Sequence, residues 1–507
     1  MAIDSKRIAK NTVFLYARLI LIFGVTLYTS RVVLDKLGVT DYGLYNVIYG
    51  VIGLLSFLNA TLSSGTSRFI TFELGKGDIS RLRITFSTAL YAHILLAAVI
   101  FILGETIGLW YATNVMVVPE GRFTAAMIVY QISILNTMLS IFMVPFTSEV
   151  MAHERMDVYA YLGILEVILK LLVVFLLVFT PFDRLETYAL LTFSVVAIIL
   201  LYYVHFTRKN FEEVRFSKLF DWTVFKSIMK FSGWNIIANL SNTLMSQGVI
   251  MLFNLFFAPV VVAAQAISNQ ISAALMQFVN GVRNAINPQV IKSYADERYD
   301  DSKRLTLQSA EYVFDLLLLM GLPLIMIMDS FMHLWLVKVP DYAIVFAQLI
   351  ILQDILGNFS AAFYTPMVAA NKIEKNTYAA VFLCIIQFGL MWLLFKLGFG
   401  PVWARYLGIL FCCIWSFVVK PYILWHDLQY SWKEMGFCLA RSMRTFIIAG
   451  TICYLIYILI PQTNFGISIL VAGLSALSVA IVSVFFMERS VRNRLVNYAV
   501  NRLKNKK

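Results

Sequence analysis

From Thr12 to Phe486 the chain is a series of fourteen apolar runs of about 20 residues, the length a helix needs to cross the ~30 Å hydrocarbon core of a bilayer. The runs lie near 12–34, 42–66, 83–104, 122–147, 157–179, 187–206, 230–256, 258–282, 306–328, 342–369, 377–396, 402–424, 440–460 and 464–486, with Pro421 and Pro461 marking ends. Composition agrees: of 507 residues, 60% are hydrophobic and only 14% charged, and mean hydropathy is +0.78. The expected fold is an all-α polytopic membrane protein of about fourteen transmembrane helices. Lys6, Arg7 and Lys10 precede a first run too long for a signal-peptide core and without a small-residue cleavage site, so the first helix is expected to remain as an anchor.

An even number of spans puts both termini on one side, and the basic residues say which. Of the 41 lysines and arginines, 32 fall on the side of the termini and 7 on the other (Arg31, Lys36, Arg122, Arg184, Lys338, Lys396 and Arg405), with Arg18 and Lys170 inside spans. Cytoplasmic loops carry such an excess, which predicts a multi-pass protein with both termini in the cytoplasm. The same asymmetry accounts for most of the net charge of +12 without nucleic acid as a partner. The longest polar connections, 205–229 and 283–305, are too short to be domains, so no catalytic extramembrane module is expected. Cys384, Cys412, Cys413, Cys438 and Cys453 have no CxxC spacing and read as buried small hydrophobes.

A faint internal repeat organises the runs. A shift of 221 residues sets Leu54, Phe57 and Asn59 against Leu275, Phe278 and Asn280, and Pro145 against Pro366; a two-residue gap sets Tyr159-Ala160 against Tyr378-Ala379. Runs one to six then correspond to seven to twelve. The expected division is a six-helix lobe over 1–206, a cytoplasmic linker over 207–229, a second six-helix lobe over 230–424, and two further helices with a basic tail over 425–507. Two lobes around a central cavity suit alternating access.

Polar residues inside the runs are the functional candidates. Arg18 lies deep in the first run, where a guanidinium facing lipid costs roughly 2.5–3.5 kcal/mol, so it should face a wet interior or a partner. Asn235, Asn239, Asn242 and Ser246 share one helical face of the seventh run, and Asn269, Asn280, Asn284 and Asn287 share one of the eighth and its extension. A single asparagine there reads equally as interhelical glue; the faces together read as a cavity lining. Glu166 and Lys170, four apart, read as a structural ion pair before a substrate contact. Asp354, sharing a face with Asn358 ahead of a kink at Pro366, is a candidate for proton or sodium coupling, and Asp315, four after Glu311, ranks below it. The histidines, including His93 and His153, show no metal-ligand spacing, so no metal or other cofactor is expected. No HExxH, Walker A, GxSxG or GxGxxG stands where its mechanism could operate.

The fourteen runs in two sixes plus two, together with Ser30-Arg31-Val-Val-Leu-Asp-Lys-Leu-Gly38-Val-Thr-Asp-Tyr-Gly43-Leu-Tyr45, resemble the polysaccharide transporter branch of the multidrug/oligosaccharidyl-lipid/polysaccharide exporter superfamily, which includes the Wzx-type O-antigen flippases. The resemblance implies two bundles that rock about a cavity and carry an undecaprenyl-diphosphate-linked oligosaccharide across the inner membrane. Its partners would be that lipid-linked oligosaccharide, membrane lipids, polysaccharide polymerase and glycosyltransferases. Arg18 and Arg31 would then meet the diphosphate, and Asn59, Asn235, Asn239, Asn242, Asn269 and Asn280 the sugars. The repeat partner of Arg18 is Asn239, a departure from cavities lined by several cations. Two other readings stand beside this one: a cation-coupled multidrug exporter of the same fold, and a polytopic glycosyltransferase or O-antigen polymerase. The last is disfavoured because the outer segments are short.

Overall fold

The computed structural model describes residues 5–214, 219–461 and 464–487, with side chains from Gly24 onward except at 60, 64, 156, 231–238, 242, 284 and 285. Its elements in chain order are α1 (Ser5–Gly53), α2 (Ser56–Lys76), α3 (Ile79–Asn114), α4 (Phe123–Ala152), α5 (Met156–Phe179), α6 (Arg184–Asn210), α7 (Trp222–Thr243), α8 (Val249–Phe256), α9 (Pro259–Ala295), α10 (Tyr299–Met326), α11 (Met328–Trp335), α12 (Ala343–Ala369), α13 (Glu374–Lys396), α14 (Trp403–Leu428), α15 (Trp432–Leu459) and α16 (Phe465–Phe486). Among the described residues, eleven helices are long and apolar enough to cross a membrane, or twelve if Gly24–Gly53 and Ser56–Lys76, bent by 48°, form one span. The chain is an all-helical multi-pass membrane protein, and helices occupy all fourteen expected runs.

Local sequence explains the breaks. Gly38 interrupts α1 with φ 78° and ψ 164°, open to a residue without Cβ, and so turns the chain between the first and second runs. Asp183, Asp221 and Asn464 cap the helices that follow them, each side chain accepting from backbone N–H groups of the first turn. Among the described residues, three π turns interrupt longer helices, at Gly104–Gly108, Leu244–Gly248 and Trp415–Val419. The third corrects one expectation. Pro421 does not end its run, because it sits in the first turn after the π turn, where its missing N–H is tolerated, and α14 continues to Leu428. A second correction concerns 283–305: α9 continues to Ala295 and α10 begins at Tyr299, so only a short turn through Glu297 (φ 59°) separates them.

Packing divides the chain into two compact units. The first comprises 1–266, 336–341 and 384–401, the second 267–335, 342–383 and 402–507. Helix α7, at the head of the second lobe in the repeat register, packs on α2 within the first unit. The core of the first unit joins Phe86, Phe146, Ile199 and Tyr203, contributed by α3, α4 and α6. In the second unit Phe314 and Phe359 meet edge-on at 5.9 Å. Large apolar side chains such as Tyr161, Phe175 and Phe179 stay exposed along α5, which suits a lipid-facing surface.

Candidate functional site

In the second unit, polar groups of α9, α12 and α14 form a series of hydrogen bonds between helices. Ser272 of α9 donates to Asp354 Oδ2 of α12 at 2.5 Å. One turn on, Asn358 Nδ2 donates to the Asp354 carbonyl at 3.0 Å and lies 3.3 Å from Met276 Sδ. The short 3-10 stretch Phe359–Phe363 precedes Pro366, which removes one backbone donor from the helix. There Ser416 of α14 donates to the Gly357 carbonyl at 3.0 Å, and Ser360 donates to Ser416 Oγ at 3.0 Å. Thr365 closes the series by donating to Asn287 Oδ1 at 2.9 Å.

Three cations lie along this series. Arg405, 8% exposed, is within electrostatic reach of Asp354 and has its guanidinium carbon 5.5 Å over the Phe346 ring. Lys420, 7% exposed, donates to the Ser360 carbonyl at 2.9 Å and lies 5.5 Å from the Trp415 ring centre. Arg283 is half-buried, its Nε meets no acceptor, and it lies within electrostatic reach of Lys420. From sequence all three count as flanking charges. The burial of Arg405 and Lys420 follows from the packing of α14 against α12, and the only sequence signal for the three was their position at the edges of apolar runs.

The expected site residues are distributed between the units. Arg18 lies on α1, and Asn235 and Asn242 on α7, but their side chains fall outside the described residues. Arg31 is exposed on α1. Asn59 is half-buried on α2 with its Oδ1 unpartnered. Asn239 donates to Thr61 Oγ1 of α2 at 3.1 Å, an interhelical bond of the kind weighed against a cavity role. In the second unit, Asn269 is half-buried and Asn280 exposed on α9. Asp315 is half-buried one turn from Glu311, whose carboxylate Arg441 of α15 meets at 3.0 Å. Glu166 and Lys170 do pair, at 2.6 Å, on the wall of a cavity of about 460 Å3 that α1, α4, α5 and α6 enclose in the first unit. His93 is buried, with one ring nitrogen 2.9 Å from the Ala89 carbonyl.

A second constellation was not foreseen. At the start of α4, the Arg122 guanidinium forks between Asp41, at 2.5 and 3.0 Å, and Asp183, at 2.5 and 3.2 Å. It thereby ties the turn after Gly38 to the first turns of α4 and α6. The hydrogen bonds from Arg122 hold the Asp183 carboxyl below its usual range, and those to Asp183 raise the Arg122 guanidinium in return.

Fold and polar interior together define a class: a polytopic helical membrane protein built like the transporters of the multidrug and lipid flippase type. A multidrug resistance MATE family transporter of the MOP superfamily, in an inward-facing conformation, superposes with a TM-score of 0.66 at 14% identity over 80% of this chain and 96% of its own. The lipid II flippase MurJ, in an inward closed conformation, gives 0.64 at 12% identity, covering 92% of this chain and 99% of its own. The MATE multidrug transporter DinF-BH gives 0.60 at 14% identity over 81% and 93%. No protein-family model and no curated protein matches the sequence.

Proposed function

We propose that the chain is a flippase that moves an undecaprenyl-diphosphate-linked oligosaccharide from the cytoplasmic to the periplasmic leaflet of a bacterial inner membrane by alternating access. One observation carries this reading: Arg283 and Lys420 lie in the second unit with no carboxylate partner among the described residues. A buried cation without a counter-ion is unfavourable, and a diphosphate would supply both the charge and the acceptors. These two cations offer the second lobe the anion contact that Asn239, opposite Arg18 in the repeat, does not. In this reading Arg18 and Arg31 meet the diphosphate from the first lobe, while Asn59, Asn235, Asn239, Asn242, Asn269 and Asn280 hydrogen-bond the sugars. In this reading the segment 425–507 is accessory and both termini are cytoplasmic. Glycosyltransferases and a polysaccharide polymerase would act before and after it.

The test is flipping of a fluorescent diphosphate-linked oligosaccharide lipid in proteoliposomes. Arg283→Ala should slow flipping by about tenfold or more, as expected for removing one partner of a desolvated charge contact, and Arg283→Lys should retain part of the rate. Normal flipping by Arg283→Ala at equal protein content would sink this reading.

A second reading, a proton- or sodium-coupled multidrug exporter, draws on Asp354. Its carboxylate receives the Ser272 hydroxyl, whereas the acids around Asp315 already have Arg441. Gradient-driven movement of a cationic dye, with no movement of the lipid-linked saccharide, would favour it.

A further inference from the structure

Glu149, His153 and Glu213 converge in the first unit. Glu149 is on the last turn of α4 and 0% exposed, and neither of its carboxylate oxygens has a hydrogen-bond partner. His153 follows that helix, its backbone N–H bonded to the Glu149 carbonyl at 3.0 Å. Glu213, 5% exposed, stands in the short turn Glu212–Val214 after α6. His153 Nε2 is 2.5 Å from Glu213 Oε1 and 3.8 Å from Glu149 Oε2, and one donor atom from each of the three lies within 4.8 Å of the others. The Phe211 ring fixes the imidazole plane, stacked at 4.0 Å and 7°. Val150, Phe211 and Val214, neighbours of these residues in sequence, belong to the apolar core.

Two carboxylates in an apolar pocket with a single imidazole lack compensating charge, and Glu149, which accepts no hydrogen bond, is the group most in need of it. A divalent cation would supply that charge. The donor set, one imidazole nitrogen and two carboxylate oxygens, suits a first-row transition ion or zinc, and leaves a coordination position for water. It does not suit calcium or magnesium, which take six or more oxygen ligands, or several retained waters. A metal about 2.0–2.2 Å from each donor would draw Glu149 in and ease Glu213 away from His153.

We propose that Glu149, His153 and Glu213 bind one divalent transition-metal ion, of the Zn2+ or Mn2+ class, clamping the end of α4 to the turn that follows α6. The proposal does not depend on what the chain transports.

The test uses the full-length, tag-free chain in detergent, stripped with chelator and exchanged into metal-free buffer. Bound zinc is measured by elemental analysis after equilibration with Zn2+, and Mn2+ binding by electron paramagnetic resonance. Wild type should hold about one ion per chain, with a higher Tm when loaded, and Glu213→Gln and His153→Phe should each weaken binding by at least about tenfold, since loss of even an outer-shell partner costs that much. Glu149→Gln should do the same; should that variant not fold, the wild-type stoichiometry and the other two substitutions decide. Less than a tenth of an ion on the wild type, wild-type affinity in Glu213→Gln and His153→Phe, or equal binding of Mg2+ would each overturn the proposal.

Discussion

Ser272 and Asp354 join α9 to α12 through a 2.5 Å hydrogen bond from hydroxyl to carboxylate, within reach of the buried Arg405. A carboxylate so placed can exchange a proton or a sodium ion for the field of that arginine. If it is the coupling site, Asp354→Asn in proteoliposomes removes the dependence of transport on the proton or sodium gradient while the protein stays folded. Gradient dependence equal to wild type would assign Asp354 to structure.

Lys420 makes a different demand. Its ammonium donates to the Ser360 carbonyl, so Lys420→Met keeps the length of the stem and deletes the charge. If its role is to meet an anion, Lys420→Met reduces binding of the diphosphate lipid by about tenfold or more with the Tm unchanged or raised. A large fall in Tm with unaltered binding would make it a structural cation.

Gly43 is held by a close approach of backbone. A Cβ on residue 43 would overlap the carbonyl oxygen of Pro259. Backbone cannot yield as a flexible side chain can, so Gly43→Ala should cost about 1–3 kcal/mol or more. Thermal unfolding of the purified variant checks this, and an unchanged Tm would mean that the helix ends separate at little expense.

The Arg122 clasp gives a pH prediction. The folded Asp183 carboxyl titrates below its ordinary value near 3.8, so the stability it contributes is fully present above that value and is lost as pH falls through the lower, folded one. Asp183→Asn preserves the capping of Leu185 and Glu186, because asparagine caps well, and removes only the charge. The variant should be about 1 kcal/mol less stable than wild type at pH 7, a partly exposed pair being screened, and the difference should shrink toward pH 3. A difference independent of pH would show that the pairing is not electrostatic.

Orientation is testable apart from function. A reporter active only in the cytoplasm, fused after Lys218 or Lys507, should be active, and one active only in the periplasm should report at Pro259 or Gln462. The reverse pattern at Lys507 would break the fourteen-span count.

The sequence by itself determined the class. Segment length and apolarity depend on composition within about 20 residues, and an apolar run of that length satisfies its backbone in lipid as a helix, so the runs and the Glu166–Lys170 pair were legible. Only tertiary structure decided which polar groups meet. Asp354 could be singled out as an acid at membrane depth, but not its Ser272 partner 82 residues away. Arg405 and Lys420 read as flanking charges until α14 packed them inside, and Arg122 as one more loop cation until Asp41 and Asp183 closed on it. His153 showed no metal spacing because its companion Glu213 lies 60 residues on, at the end of another helix. Helical periodicity places residues on a face; which faces come together is set by packing between distant segments, and no local pattern in the chain encodes that.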